Sequence, residues 1–174
     1  MLEVEVKGKV IDLKSVESRA RDLGFSFVGT EDHCDIYFRH PNRDFAVTDE
    51  ALRIRKVNGR SVLTYKGPKV DKVSKTREEI EIALKGDMDL VLKRLGFVPV
   101  LEVKKVRRVF HKADIEICLD DVSGLGTYVE VECKAQSANL DAIRERVMSV
   151  VKALGLKEKD LERRAYLELL LSKK

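Results

Sequence analysis

The stretch Glu3-Val4-Glu5-Val6-Lys7 decides how the rest of this chain is to be read. Side chains alternate across a strand, so Glu3, Glu5 and Lys7 share one face while Leu2, Val4 and Val6 share the other. Two carboxylates and an ammonium side by side could hold a divalent cation and one end of a polyphosphate, if other strands bring matching groups. The same alternation also fits a sheet whose charged side faces bulk solvent.

Other strands repeat the pattern. Arg53 and Arg55, Thr64 and Lys66, Glu79 and Glu81, Lys105 and Arg107, Glu116, Cys118 and Asp120, and Glu130 and Glu132 each alternate with apolar neighbours. About seven strands therefore present one charged and one apolar face. Helices on the apolar face would leave the charged face lining a groove or a water-filled barrel; an open sheet with solvated charges remains the alternative.

Between the strands lie helical spacings. Asp12 can cap a helix over Leu13 to Leu23 that stops at Gly24, and Asp87 opens a second, to Leu95, ended by Gly96. Phe25 to Gly29 and Cys34 to Arg39 read as extended, interrupted at Thr30-Glu31-Asp32. His40 to Asp44 is a loop, and Asn58-Gly59 joins Ala51 to Val57 with Ser61 to Lys66 as a tight hairpin. A polar break from Gly67-Pro68 to Lys75 precedes Arg77 to Ile82.

A repeat emerges. EVEV, a helix and Leu23-Gly24-Phe25 recur as EIEI, a helix and Leu95-Gly96-Phe97, each copy followed by three strand-like stretches. In the second copy these are Val98 to Phe110, Ala113 to Leu119 and Tyr128 to Lys134. The chain reads as two β-α-β-β-β units without a linker between them, so residues 1–174 are expected to form one domain. Leu140 to Leu154 and Lys159 to Leu171 read as two closing helices, the second with a Leu and Tyr stripe expected to cover the core.

Composition fits a folded, highly charged protein. Of 174 residues, 37% are charged and 44% hydrophobic, and 34 basic groups nearly balance 30 acidic ones to give a net charge of +4. That mixed field argues against nonspecific nucleic-acid binding. Cys34, Cys118 and Cys133 show no C-x-x-C spacing, so free thiols are expected rather than a disulfide framework or zinc site. The chain enters a charged strand without an apolar leader, and no run approaches the ~20 apolar residues of a membrane span. A soluble, cytoplasmic protein is expected. His33, His40 and His111 are scattered, and none receives a catalytic role.

The blocks EVEVK, LRIRK, LTYKGPK, REEIE, KKVRR and LDDVSGLGTYVEVE, in that order, resemble the CYTH family, also called triphosphate tunnel metalloenzymes. The likeness runs from Glu3 to Glu132 and on into Arg163 to Leu167. It implies an α+β fold built on an eight-stranded antiparallel β-barrel, a tunnel, with helices outside. The DIYF and TDEALRIR segments are most similar to the branch named after class IV adenylyl cyclase.

The resemblance implies that Glu3, Glu5, Glu130 and Glu132 bind magnesium or manganese. It gives Lys7, Arg53, Arg55, Lys66, Lys105 and Arg107 the task of holding the triphosphate, with Glu79, Glu81 and Asp120 orienting those cations or flanking the metal. The chemistry agrees, since these metals bridge carboxylates to phosphates and Arg offers a planar fork to phosphate oxygens. Tyr37 could prepare Lys66 as a base for water, or simply pack in its strand. The implied reaction is ATP to cyclic AMP and pyrophosphate. The alternatives are a triphosphatase acting on thiamine triphosphate, nucleoside triphosphate or tripolyphosphate, and a noncatalytic module binding polyphosphate or RNA 5′ ends. The expected partner is a nucleotide or other small triphosphate, with no membrane and no specific nucleic acid, in a monomer or homodimer.

Overall fold

A computed structural model describes residues 2–70, 76–135 and 139–173. The first repeat folds as β1 (Leu2–Lys9), α1 (Leu13–Asp22), β2 (Ser26–Arg39), a short α2 (Phe45–Thr48), β3 (Ala51–Val57) and β4 (Arg60–Lys66). The second folds as β5 (Arg77–Leu84), α3 (Met88–Arg94), β6 (Val98–Lys112), β7 (Ile115–Val122) and β8 (Gly126–Ala135), followed by α4 (Leu140–Ala153) and α5 (Tyr166–Leu171). Residues 71–75 of the expected polar break lie outside the described residues.

All eight strands close into one antiparallel barrel in the order β1-β5-β4-β3-β2-β6-β7-β8. The duplication shows in this order. The first strand of each unit pairs with the last strand of the other, β5 with β4 and β1 with β8, while β2 pairs with its counterpart β6. Among the described residues, closure joins β5 to β1 through Leu2 with Glu78 and Glu3 with Arg77.

Local chemistry explains the connections. Asp12 accepts hydrogen bonds from the amides of Lys14 and Ser15, satisfying two orphan donors at the start of α1. Asn58 and Gly59 both take positive φ, 48° and 74°, the conformation a two-residue hairpin needs between twisted strands.

Two expectations change. Strand β2 is not interrupted at residues 30–32: β6 pairs with it throughout, and the irregularity is a register shift between Phe27 and Gly29. A long partner strand outweighs the poor strand propensity of Thr-Glu-Asp. The last helix is also shorter than 159–171. A 3-10 turn at Glu158–Asp160 gives way to an extended segment, with Leu161 bridging Gly8 and the amide of Glu162 donating to the carbonyl of Lys7. Only Tyr166–Leu171 is α-helical. Pairing with β1 captures backbone groups that would otherwise have continued the helix.

The core divides accordingly. On the outside of the barrel Val4, Val6, Phe110, Ile117, Leu119, Val129 and Val131 pack against Val16 and Ala20 of α1 and Val147 and Val151 of α4. Phe38, Leu52 and Ile54 pack on Leu92 of α3. A third cluster lies inside. Val103 stands opposite Asp35, and Val122 opposite Lys105, and cross-strand partners share a face. With Tyr37, Tyr128 and Tyr166 and Leu169 of α5 they make an apolar plug in the lumen, so the interior is not polar along its full length.

Candidate active site

The charged alternation faces inward. A cavity of about 330 Å³ is lined by Glu3, Glu5 and Lys7 of β1, Tyr37 of β2, Arg53 and Arg55 of β3, Lys66 of β4, Glu79 and Glu81 of β5, Lys105 and Arg107 of β6, and Glu130 and Glu132 of β8. Asp120, fully buried, lies behind this lining. Thus twelve strand positions expected from sequence to bind or orient, together with Tyr37, reach one space, and Asp120 supports them from beneath.

Two buried aspartates set the cations. Asp120 accepts from Lys105 Nζ, Arg107 Nε and Arg107 Nη2, each at 2.7 Å, and from the Tyr166 hydroxyl at 2.9 Å. Asp35 does the same from β2, on the other side of β6, holding Arg55 through two bonds of 2.8 Å and Arg53 through one of 3.1 Å. Burial opposes ionisation of both carboxyls, but Arg53 and Arg55 pull Asp35 well below the usual range, and Arg107 and Lys105 pull Asp120 down. Each anion fixes two cations whose remaining donors are available to a ligand.

Lys66 Nζ lies 2.6 Å from Glu79 and 3.3 Å from Glu3. Burial alone would lower its pKa, yet the charges of Glu3 and Glu79 raise it. Tyr37 stands opposite Arg53 in the register and, after Asp35, helps to keep that guanidinium charged. Of the two readings of Tyr37, its place in the inner apolar cluster agrees with packing in the strand, and the groups beside Lys66 Nζ are Glu3 and Glu79. The pKa of Lys105 falls, through burial and the neighbouring Arg107. Lys7, at the plugged end, donates to the carbonyl of Arg164 and lies 4.0 Å from the centre of the Tyr166 ring.

The acidic wall lies across β1, β8 and β7. Glu5 is opposite Glu132, and Glu132 is opposite Glu116. Directly opposed like charges are destabilising unless a cation intervenes. Burial, then the charge of Glu3, pushes the Glu132 carboxyl well above the usual range, and Glu132 makes no hydrogen bond or ion pair with a described residue. Glu116, Cys118 and Glu132 bring donor atoms within 4.8 Å of one another. The two carboxylates of this set could hold a divalent cation, with the Cys118 thiol beside them. Glu130 stands at its edge, paired with Arg107 and, at 3.9 Å, with Lys105.

Several lining residues were not among those singled out from sequence: Glu31, His33, Arg77, Glu116, Lys134 and Tyr166, with Asp35 behind them. Period two counted back from Tyr37 gives Asp35, His33 and Glu31, a signal lost when β2 was broken at residue 30. Glu116 was on the charged face but was not carried into the metal set. Nothing local marks Tyr166, which reaches the lumen only because the chain before it runs along β1.

The family model of the CYTH domain matches residues 1–166. The chain belongs to the CYTH family. This CYTH domain is 45% identical over 172 residues to a Methanocaldococcus jannaschii protein provisionally named an adenylate cyclase, covering 97% of the chain and 98% of that protein. It is 27% identical over 135 residues to the adenylate cyclase CyaB of Aeromonas hydrophila, covering 76% of the chain and 69% of that protein. A solved protein of Pyrococcus horikoshii OT3 superposes with a TM-score of 0.89 at 42% identity, with 99% of each chain covered. No described helix is long and apolar enough to cross a membrane.

Proposed function

We propose that this CYTH domain is a metal-dependent enzyme acting on triphosphates, and that it converts ATP to cyclic AMP and pyrophosphate. One observation carries the triphosphate reading: within one closed barrel, cations fixed by Asp35 and Asp120 line the same cavity as a row of directly opposed carboxylates, Glu5 against Glu132 and Glu132 against Glu116. A polyphosphate on the cations, with a divalent cation between it and the carboxylates, would satisfy both. The cyclase reading is supported by the names of the Methanocaldococcus and Aeromonas relatives.

Arg53, Arg55, Lys66, Lys105 and Arg107 would hold the phosphate chain, with Lys7 at the plugged end. Glu3, Glu5, Glu130 and Glu132 would hold magnesium or manganese, with Glu116 as a further donor opposite Glu132. The bound ion supplies positive charge to phosphate oxygens. The remaining work is positioning and charge neutralisation, and the buried aspartates keep the guanidinium forks fixed before substrate arrives. In cyclisation the ribose 3′-oxygen bonds to the α-phosphorus as the bond to the bridging oxygen breaks, pyrophosphate leaves, and the hydroxyl proton is released. The free thiols and a nucleotide substrate suit a cytoplasmic location.

The test is product analysis with ATP, thiamine triphosphate and tripolyphosphate, each with magnesium or manganese. Cyclic AMP with pyrophosphate is expected. Orthophosphate with a diphosphate would instead make the protein a triphosphatase, with water rather than a ribose hydroxyl in line. Binding without any product would leave a polyphosphate-binding module.

A further inference from the structure

His33 lies on the lumen side of β2, spaced by two from Glu31 and Asp35 and opposite Lys105 of β6. Its side chain is 2% exposed and lines the cavity. Nε2 is 2.6 Å from Oε2 of Glu31. An ionised carboxylate only accepts, so Nε2 carries the proton of that bond and Nδ1 of the neutral ring is a bare lone pair. Nδ1 is buried and has no hydrogen-bond partner among the described residues.

The charged groups facing this ring are Arg55 from β3, Lys105 and Arg107 from β6, and Asp35 and Glu31 from its own strand. Burial first, then the three cations, push the imidazole down to about 3 against the weaker pull of Asp35, so the empty tunnel holds it neutral.

We propose that His33 is a further triphosphate-binding residue of this tunnel, offering an Nδ1 proton to a phosphate oxygen while Glu31 holds the ring through Nε2. The inference rests on the triphosphate reading given above. A lone pair facing phosphate would be repelled, so the contact requires one proton from solvent, and no other bond is made or broken. The polyanion itself makes that uptake favourable. Its charge offsets Arg55, Lys105 and Arg107, which otherwise disfavour the imidazolium, and the Glu31 carboxylate then stabilises it. His33 adds positive charge only when a ligand is present to use it, and the empty tunnel is spared one more repelling cation.

The test uses the full chain with tripolyphosphate in EDTA. Imidazole nitrogen NMR at about pH 7 reads the protonation of His33 directly. Its signals are assigned by their loss in His33→Gln, with His40 and His111 as references. Neutral signals without ligand and imidazolium signals at saturation are expected. Calorimetry in buffers of different ionisation enthalpy should show more proton uptake by the wild type than by His33→Gln, a difference in which the titration of tripolyphosphate itself cancels. The affinity advantage of the wild type over the variant should grow about 10- to 100-fold between about pH 8 and about pH 6, up to tenfold per pH unit for one proton taken up.

A ring that stays neutral in the saturated complex, or an affinity ratio that does not change with pH, overturns the proposal. If His33→Gln does not fold, Glu31→Gln at the partly exposed end of the pair takes its place and must reduce the proton uptake; undiminished uptake again overturns it. Failure of the wild type to bind tripolyphosphate at all, with or without metal, removes the triphosphate reading itself and is seen separately in the calorimetry.

Discussion

Replacing Asp120 by Asn should be the most informative single change, because it removes a charge without changing shape at the base of the cationic wall. Asp120 is fully buried and accepts four hydrogen bonds, three of them from the charged groups of Lys105 and Arg107. Asparagine has one carbonyl oxygen. With that oxygen toward Lys105, Tyr166 and Arg107 Nη2, its NH₂ group faces Arg107 Nε, donor against donor. Breaking one side of a buried ion pair costs about 3–5 kcal/mol. In a chain of this size that corresponds to a fall in Tm of roughly 6–20 °C.

Urea denaturation near neutral pH, with thermal melts beside it, measures the effect. Tripolyphosphate should stabilise Asp120→Asn more than wild type, since the ligand supplies the missing negative charge to Lys105 and Arg107. The folded-state pKa of Asp120 is lowered, so its contribution is fully present above the unfolded carboxyl value of about 3.9 and fades as pH falls below it toward the folded value. The gap between wild type and variant should therefore stay constant down to about pH 5 and close in stronger acid. A loss below about 1 kcal/mol, the scale of an exposed ion pair, would refute the reasoning that Asp120 is the main anchor of these two buried cations.

Other substitutions test the remaining parts. Glu132→Gln relieves the opposition with Glu5 and Glu116, so in EDTA the variant should melt above the wild type while losing turnover at low metal; a lower melting point would contradict the crowding of like charge. Arg55→Ala removes a two-bond fork and should weaken tripolyphosphate binding by about 10- to 100-fold in calorimetry, the 1.5–3 kcal/mol of a charged hydrogen bond; equal affinity would take Arg55 out of the site. At Gly8 an added Cβ would fall 2.1 Å from Leu156 Cδ2, where the returning C-terminal segment crosses β1. Gly8→Ala should cost about 1–3 kcal/mol in urea denaturation, and a neutral result would mean the segment is not held there.

Much of this architecture follows from period and repetition. The alternation in Glu3-Val4-Glu5-Val6-Lys7 and its echoes assigns side chains to faces because a strand allows only two, and the recurrence of Leu-Gly-Phe after each helix marks the duplicated unit. The candidate cations and carboxylates were legible for the same reason, since charge at every second position against Val and Ile cannot lie on the covered face. Sequence could not say that the charged face closes on itself. That depends on the cross-pairing of β1 with β8 and β5 with β4, contacts between residues far apart in the chain.

What only the tertiary structure decided is which charge answers which. Asp35 and Asp120 resemble any other acidic strand residue until register sets them beneath Arg53 and Arg55, and beneath Lys105 and Arg107. His33 looked isolated because its partners Glu31, Arg55 and Lys105 come together only through pairing on both sides of β2. Tyr166 enters the site because Leu161 and Glu162 give up helix for bonds to β1, a competition no local propensity records. Periodicity is a property of neighbours along the chain and fixes faces. Ion pairing and burial are properties of neighbours across it, and they exist only once the barrel has closed.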